Sequence, residues 1–341
     1  MSRPQGLKKL GPVGRRAVNV SAERSFSTGF LAPGSELPLV VRPEVRDLDA
    51  ARWAALNRET LGRELLRHGA LLFRGFDVRT VEEFERFIKA LSDELLQYSY
   101  GSTPRTRIGG AVYTSTEYPA DQSIPLHNEM SYASDWPMKL WFLCLKAAAR
   151  GGSTPIADSR KVFRRISPRV RERFAERGVM YVRNYGDGVD LPWPQVFGTT
   201  SREEVEAYCL GAGIEFEWRG GGRLRTRQTC QAVAVHPTLG EPVWFNQAHL
   251  FHVSSLGAAA GASLLEEFGE AGLPRNAFYG DGAPIEAEAL EEIRAAYERE
   301  KVSFDWQERD VLMLDNMLVA HGREPFEGPR RVVVGMGESC R

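Results

Sequence analysis

Pro125-Leu126-His127-Asn128-Glu129-Met130-Ser131-Tyr132 places an imidazole and a carboxylate two residues apart in a segment that reads as locally extended. On a β-strand, residues i and i+2 project from one face, so His127 and Glu129 are expected to converge while Asn128 points the other way. A third ligand is supplied far downstream by Leu314-Asp315-Asn316-Met317-Leu318-Val319-Ala320-His321-Gly322-Arg323, in which an apolar run delivers a histidine. Two histidines and one carboxylate form the facial set that holds iron(II) by one side of an octahedron and leaves the other positions open for chemistry. A closed zinc site would use four protein ligands, usually with thiolates, and no cysteine stands at suitable spacing. The tripeptide alone carries little weight, because roughly one His-x-Asp/Glu is expected by chance in a chain of this composition.

The 341 residues are 43% hydrophobic and 26% charged, an ordinary composition for a folded chain able to bury a sizeable core. Lys and Arg number 44 against 45 Asp and Glu, a net charge of −1, so no global field draws the chain to nucleic acid or to an acidic membrane. Cys144, Cys209, Cys230 and Cys340 are scattered and form no CxxC pair, which suits idle thiols in a reducing compartment, the cytosol by default. No stretch reaches the roughly 18 apolar residues needed to span a bilayer. The acid-free basic start, with Lys8, Lys9, Arg15 and Arg16, lacks the apolar core of a secretory signal, and residues 1–36 read as a flexible tail.

Residues 37–341 read as a single domain. Its first hundred residues alternate strand and helix: Leu37 to Arg42 extended, a helix through Trp53, Leu61 and Leu65, then Ala70 to Phe76 as a buried strand. Thr80 and Glu83 form a capping box ahead of Phe84, Phe87, Ile88 and Leu91. From Ile108 strands dominate, and Met138 to Leu145 is apolar on both faces, the mark of a strand buried on two sides. Val162 to Arg177 is a basic helical pattern interrupted at Pro168, and Tyr185 to Thr200 reads as an ordered loop or lid. Thr229 to His236 reads as one strand, and a helical insert is expected near 258–300. The fold class is therefore mixed α/β with a mainly β core.

The order Pro-Leu-His127-Asn-Glu129, Gly151-Gly152-Ser-Thr154, Asp315-Asn316 leading to His321-Gly322-Arg323, and Pro329-Arg330-Arg331 resembles the taurine dioxygenase (TauD/TfdA) family, from about Pro38 to the C-terminus. The resemblance implies a double-stranded β-helix, or jelly roll, with flanking and inserted helices, and an Fe(II)- and 2-oxoglutarate-dependent oxygenase using O2. Residue by residue, it implies that His127, Glu129 and His321 ligate the metal. Thr154, 27 residues after His127, then takes the place of the family threonine on a 2-oxoglutarate carboxylate. Arg331, ten residues after His321, takes that of the arginine gripping the cosubstrate's distal carboxylate, which leaves Arg330 solvated or structural on the opposite strand face.

Glu at the middle ligand is similar to the clavaminate synthase branch, and a carboxylate there argues for oxygen transfer over halogenation. Some relatives carry a substrate-binding arginine four residues after the cosubstrate arginine, where this chain has Gly335, which argues against a sulfonate substrate. Asn128, Ser131, Tyr132 and Asn246 are expected to line the substrate pocket. The substrate class implied is a small molecule, an amino acid either free or tethered to a peptidyl carrier protein, with hydroxylation as the reaction. Desaturation, epimerisation or cyclisation by the same machinery is the alternative. Zinc on the same three ligands would suit hydrolysis, a reading that leaves Thr154 and Arg331 without a task.

Overall fold

Alternate residues of one strand fall into two different cores. In Trp136–Lys146, Leu140, Phe142 and Cys144 join one apolar cluster while Trp141 and Leu143 join another. Val311–Asp315 divides the same way, with Leu312 and Leu314 on one side and Val311 and Met313 on the other. A period of two buried on both faces requires a layer above and a layer below.

The computed structural model describes residues 26–45, 48–97, 100, 105–116, 118–186, 188 and 190–340. Eight strands form the major sheet in the order Phe26–Gly29, Leu39–Pro43, Ala70–Phe73, Val311–Asp315, Trp136–Lys146, Arg331–Cys340, Val112–Thr114 and Arg107–Gly109. Leu39–Pro43 runs parallel to Ala70–Phe73, and the other pairings in this sheet are antiparallel. A minor sheet of Val302–Phe304, Thr154–Asp158, Val319–Arg323 and Ile124–His127 supplies the functional residues. An outer sheet joins Glu215–Arg219, Arg223–Cys230, Val179–Tyr185 and Arg275–Tyr279.

Helices Ala50–His68 and Val81–Leu91 cover the far face of the major sheet with Trp53, Leu61, Leu65, Phe84, Phe87 and Ile88. Burying each such side chain stabilises by about 1.5–3 kcal/mol, so this layer holds the sheet rigid behind the site. Both helices begin on side-chain caps: Asp49 accepts from Arg52 N, while Thr80 and Glu83 bond reciprocally as the sequence spacing indicates. The first helix ends at Gly69 in the left-handed region (φ 75°), where a Cβ would lie 2.5 Å from Val319 Cγ2 of the minor sheet.

Three local expectations are revised and one holds. Phe26–Gly29 pairs with Leu39–Pro43, so ordered structure begins before residue 37; residues 1–25 lie outside the described residues. The basic helical pattern is interrupted at Pro168 as expected, giving two helices, Ser159–Arg165 and Pro168–Arg177, with Pro168 opening the second, where its missing N–H costs nothing. The extended run near 229–236 ends at Cys230 and resumes as Val233–Val235 against Pro242–Trp244. Between the helices Ala258–Gly272 and Ala287–Glu300 lies the strand Arg275–Tyr279, which pairs with Val179–Tyr185 rather than standing apart. Among the described residues no helix is long and apolar enough to cross a membrane. Cys144, Cys209, Cys230 and Cys340 are free thiols.

Candidate metal centre

His127 closes the strand Ile124–His127, and His321 sits in the antiparallel strand Val319–Arg323 as its direct register partner. Directly opposed residues in an antiparallel pair project to the same face. The two imidazoles accordingly stand with ring centroids 4.5 Å apart. The close approach depends on Gly322, where a Cβ would lie 2.5 Å from the Ile124 carbonyl oxygen.

Glu129 arrives by a different route from the one its spacing suggests. The strand stops at His127, and residues 129–131 form a turn with Met130 at φ 56°. What aims the carboxylate is Asn316: its Oδ1 accepts from Glu129 N at 2.7 Å and its Nδ2 donates to Glu129 O at 2.9 Å and to Pro137 O at 2.8 Å. A side-chain amide thus replaces the missing ladder partner. His321 Nε2 and Glu129 Oε2 are 3.8 Å apart, and the ligating atoms of His127, Glu129 and His321 all lie within 4.8 Å of one another. Donors sharing an ion at bonds of about 2.1 Å stand about 3–4 Å apart, so side-chain shifts of under about an ångström complete the set. Among the described residues this is the one group of three such side chains placed to hold a metal.

Protonation also fits. His127 Nδ1 donates to the Pro125 carbonyl at 2.8 Å, which fixes the tautomer and turns Nε2 toward the partners. Burial lowers the His127 pKa, and burial with the charges of His127 and Arg105 lowers that of His321 well below the ordinary value, so both rings are neutral ligands near pH 7. The fit of two neutral imidazoles and a carboxylate to a ferrous ion is therefore chemical as well as geometric.

His127 and His321 line a cavity of about 40 Å³ whose wall also includes Arg105, Thr154, Arg323 and Arg330. Thr154 Oγ1 accepts from Trp306 Nε1 at 2.8 Å, which leaves its hydroxyl proton to donate. Arg323 is committed to carbonyls of Tyr118, Pro119 and Gln122 and pins the chain over the cavity. Arg330 makes one bond, from Nε to Gly152 O at 3.2 Å, and burial together with the Arg323 charge lowers its pKa to about 10. It remains a cation, held where an anion would relieve it.

Arg331 is the correction that matters most for the site. It is exposed, and its neighbour Arg330 lines the cavity with Val332. Residues 330, 332 and 334 share the inward face, while Val333 packs outward under the helices. The strand's pairing with Trp136–Lys146 also shifts register between Arg331 and Val332. Counting four residues on from Arg330 reaches Val334, fully buried and apolar, so the inward face still offers no second arginine; Gly335 instead meets Ile88 of the covering helix.

The residues expected to line a substrate pocket are committed elsewhere. Asn128 is fully buried and donates to Ser159 Oγ and Asn316 O, and Ser131 Oγ donates back to Asn128 O. Tyr132 donates to Tyr100 O at 3.1 Å, and Asn246 donates to Ala232 O while accepting from Ala248 N. Polar type suggested all four, with nearness in sequence to the ligands for Asn128, Ser131 and Tyr132; these bonds tie their polar groups into the scaffold. His249 and His252 stay outside the ligand set, the first donating to Leu126 O and the second paired with Ser254.

Sequence reasoning missed Arg105. Its Nη2 donates to Glu129 Oε2 at 2.6 Å in a pair whose side chains are 3% and 6% exposed. Nothing in the local pattern of a short polar segment singles it out.

The family model described as taurine catabolism dioxygenase TauD, TfdA family matches residues 33–336. Dapdiamide synthesis protein DdaC of Enterobacter agglomerans is 42% identical over 272 residues, covering 80% of this chain and 83% of its own. A clavaminate synthase-like protein of Arabidopsis thaliana is 34% identical, covering 79% and 81%. Among solved structures, a taurine dioxygenase from Burkholderia xenovorans superposes with a TM-score of 0.52 at 16% identity, covering 92% of this chain and 89% of that one. PvcB of Pseudomonas aeruginosa gives 0.51 at 17%, covering 87% and 84%. These two likenesses show the jelly-roll fold. With the ligand set and the family match in agreement, the chain belongs to the TauD/TfdA family and is a dioxygenase with Fe(II) and 2-oxoglutarate as its cofactors.

Proposed function

We propose that the enzyme hydroxylates an unactivated C–H bond of an amino acid, free or bound to a carrier protein, in specialised metabolism. The observation that carries this is the grouping of Glu129 with His127 and His321, two histidines that line one cavity with a hydroxyl and a cationic guanidinium, Thr154 and Arg330. When bound, the ferrous ion would activate O2, the oxidant, with 2-oxoglutarate as the second electron donor, leaving as succinate and CO2 while the other oxygen atom goes to the substrate. The protein contributes position. Arg330 and Thr154 grip the distal carboxylate, the guanidinium as a charge-assisted donor and the hydroxyl as a second one. Phe142, whose ring centroid lies 5.1 Å from that of His321, keeps one side of the ligand set dry. Glu129 occupies the third ligand position, which supports oxygen transfer over halogenation.

The biosynthetic setting draws support from the relatives, one of which takes part in dapdiamide synthesis by name. A succinate-release screen across free and carrier-bound amino acids, with Fe(II), O2 and 2-oxoglutarate each omitted in turn, tests the reading. Stoichiometric succinate that needs all three, with a product heavier by one oxygen, is expected. A product lighter by two hydrogens would assign a desaturase or cyclase instead, and an unchanged mass with altered stereochemistry an epimerase.

A further inference from the structure

A further guanidinium is buried on the outer sheet and has no work in the scheme above. Arg183, in the strand Val179–Tyr185, is 2% exposed, and none of Nε, Nη1 and Nη2 has a hydrogen-bond partner among the described residues. Its nearest carboxylate, Asp190 Oδ2, is 3.9 Å away. Asp190 is already engaged by Arg275, whose Nε donates at 3.0 Å, and by Leu191 N at 2.7 Å. Arg183 thus holds a charge in a dry place with its own three nitrogens unmet among the described residues. A buried charge in that condition is costly, and a purely structural side chain would be expected to have found its partners.

The surroundings indicate what would meet it. Its guanidinium lies 4.9 Å from the Tyr185 ring centroid, and its charge reaches Tyr100 and Tyr132. Tyr132 follows the metal ligand Glu129 by three residues, and its ring stands 6.2 Å from that of Tyr100 and 5.2 Å from that of Phe251. Tyr181, on the same strand face as Arg183, accepts from Gln247 N at 2.8 Å, and Gln247 Nε2 donates to Asn128 O within the His-x-Glu turn. One face of the outer sheet is therefore tied to the segment that carries two metal ligands.

Resting on the oxygenase reading, we propose that Arg183 recognises a carboxylate of the substrate, held against the tyrosine rings. A planar fork with unmet donors and aromatic walls suits a carboxylate monoanion better than a phosphate. The distal carboxylate of 2-oxoglutarate has its own grip at Arg330 and Thr154. An amino acid esterified to a carrier through that same carboxyl group has nothing to offer Arg183. The fitting class is a free acid, or a tethered one with a carboxylate in its side chain.

The test uses the full-length wild type, R183M and R183K. Ligand-free R183M is expected to melt at or above the wild-type temperature, because it removes an unmet charge. Wild-type succinate release should be stimulated by free L-amino acids and dicarboxylic acids and not by their primary amides. R183M should lose that stimulation by at least about 30-fold and R183K by less, the scale of removing one partner from a buried charge pair. The anaerobic visible band with Fe(II) and 2-oxoglutarate should keep its wild-type affinity in both variants. Melting of R183M more than about 5 °C below wild type would make Arg183 structural, held through bridging waters, and overturn the proposal. Equal stimulation by acids and amides, or an unchanged response in R183M, would overturn it as well. A wild type that forms no band at all refutes the oxygenase reading instead, and the melting comparison still decides the role of Arg183.

Discussion

Asn316 holds Glu129 by both polar groups of its backbone, accepting from the N–H at 2.7 Å and donating to the carbonyl at 2.9 Å. Both residues are buried, so neither pairing competes with water. The candidate metal-binding carboxylate is therefore aimed by a residue five positions before the distant histidine, and the two halves of the candidate ligand set are one hydrogen-bonded unit.

Replacing Asn316 with Ala should lower Mn(II) affinity by about 10- to 100-fold, the usual cost of losing a residue that orients a ligand. Leaving the Glu129 N–H buried without a partner should also destabilise the fold by about 2–3 kcal/mol. Metal titration by calorimetry and urea unfolding read the two effects. Wild-type affinity in a folded variant would mean that the turn alone aims Glu129.

Arg105 and Glu129 form a buried ion pair. Arg105→Gln leaves the carboxylate beside two neutral imidazoles without that cation, and breaking such a pair costs about 3–5 kcal/mol. Divalent metal supplies replacement charge, so Mn(II) should recover most of the lost stability. A deficit equally large with and without Mn(II) would show that Arg105 acts through other contacts.

Arg330→Gln and Arg331→Gln separate the two adjacent arginines. The first should weaken 2-oxoglutarate binding by about 30- to 1000-fold, the range for truncating one side of a buried charged pair. The second, at an exposed position, should leave affinity within about twofold. Anaerobic titration of the Fe(II) complex measures both, and the reverse ranking would return the role to Arg331.

Burial holds the His249 pKa at about 4, below its ordinary value of 6.5. The unfolded chain therefore takes up a proton first as pH falls. Stability from this residue is intact above about pH 6.5 and declines from there to about pH 4, by roughly 2 kcal/mol at pH 5. The lowered values of His127 and His321 act in the same direction. Urea midpoints at pH 7 and pH 5 should differ less in His249→Gln than in wild type; equal differences would count against the assignment.

Local periodicity and end chemistry made much of the scaffold legible. The two-sided apolar run at 138–145, the Thr80–Glu83 capping box and the pairing of His127 with Glu129 depend on spacings of a few residues, which a sequence displays directly. Spacing could not say which of two neighbouring arginines faces inward, because Val332, Val333 and Val334 are all apolar and conceal the parity of the strand. Nor could it say that Asn128 turns into the scaffold, that Glu129 leaves the strand to be held by Asn316, or that Arg105 reaches the carboxylate. Those contacts join segments up to 188 residues apart, and burial decides which polar groups must pair once the sheets close. The chain determined its ligands, its helices and its layered core by local pattern. Tertiary packing alone decided which guanidiniums meet the cavity and which polar side chains are spent holding it in shape.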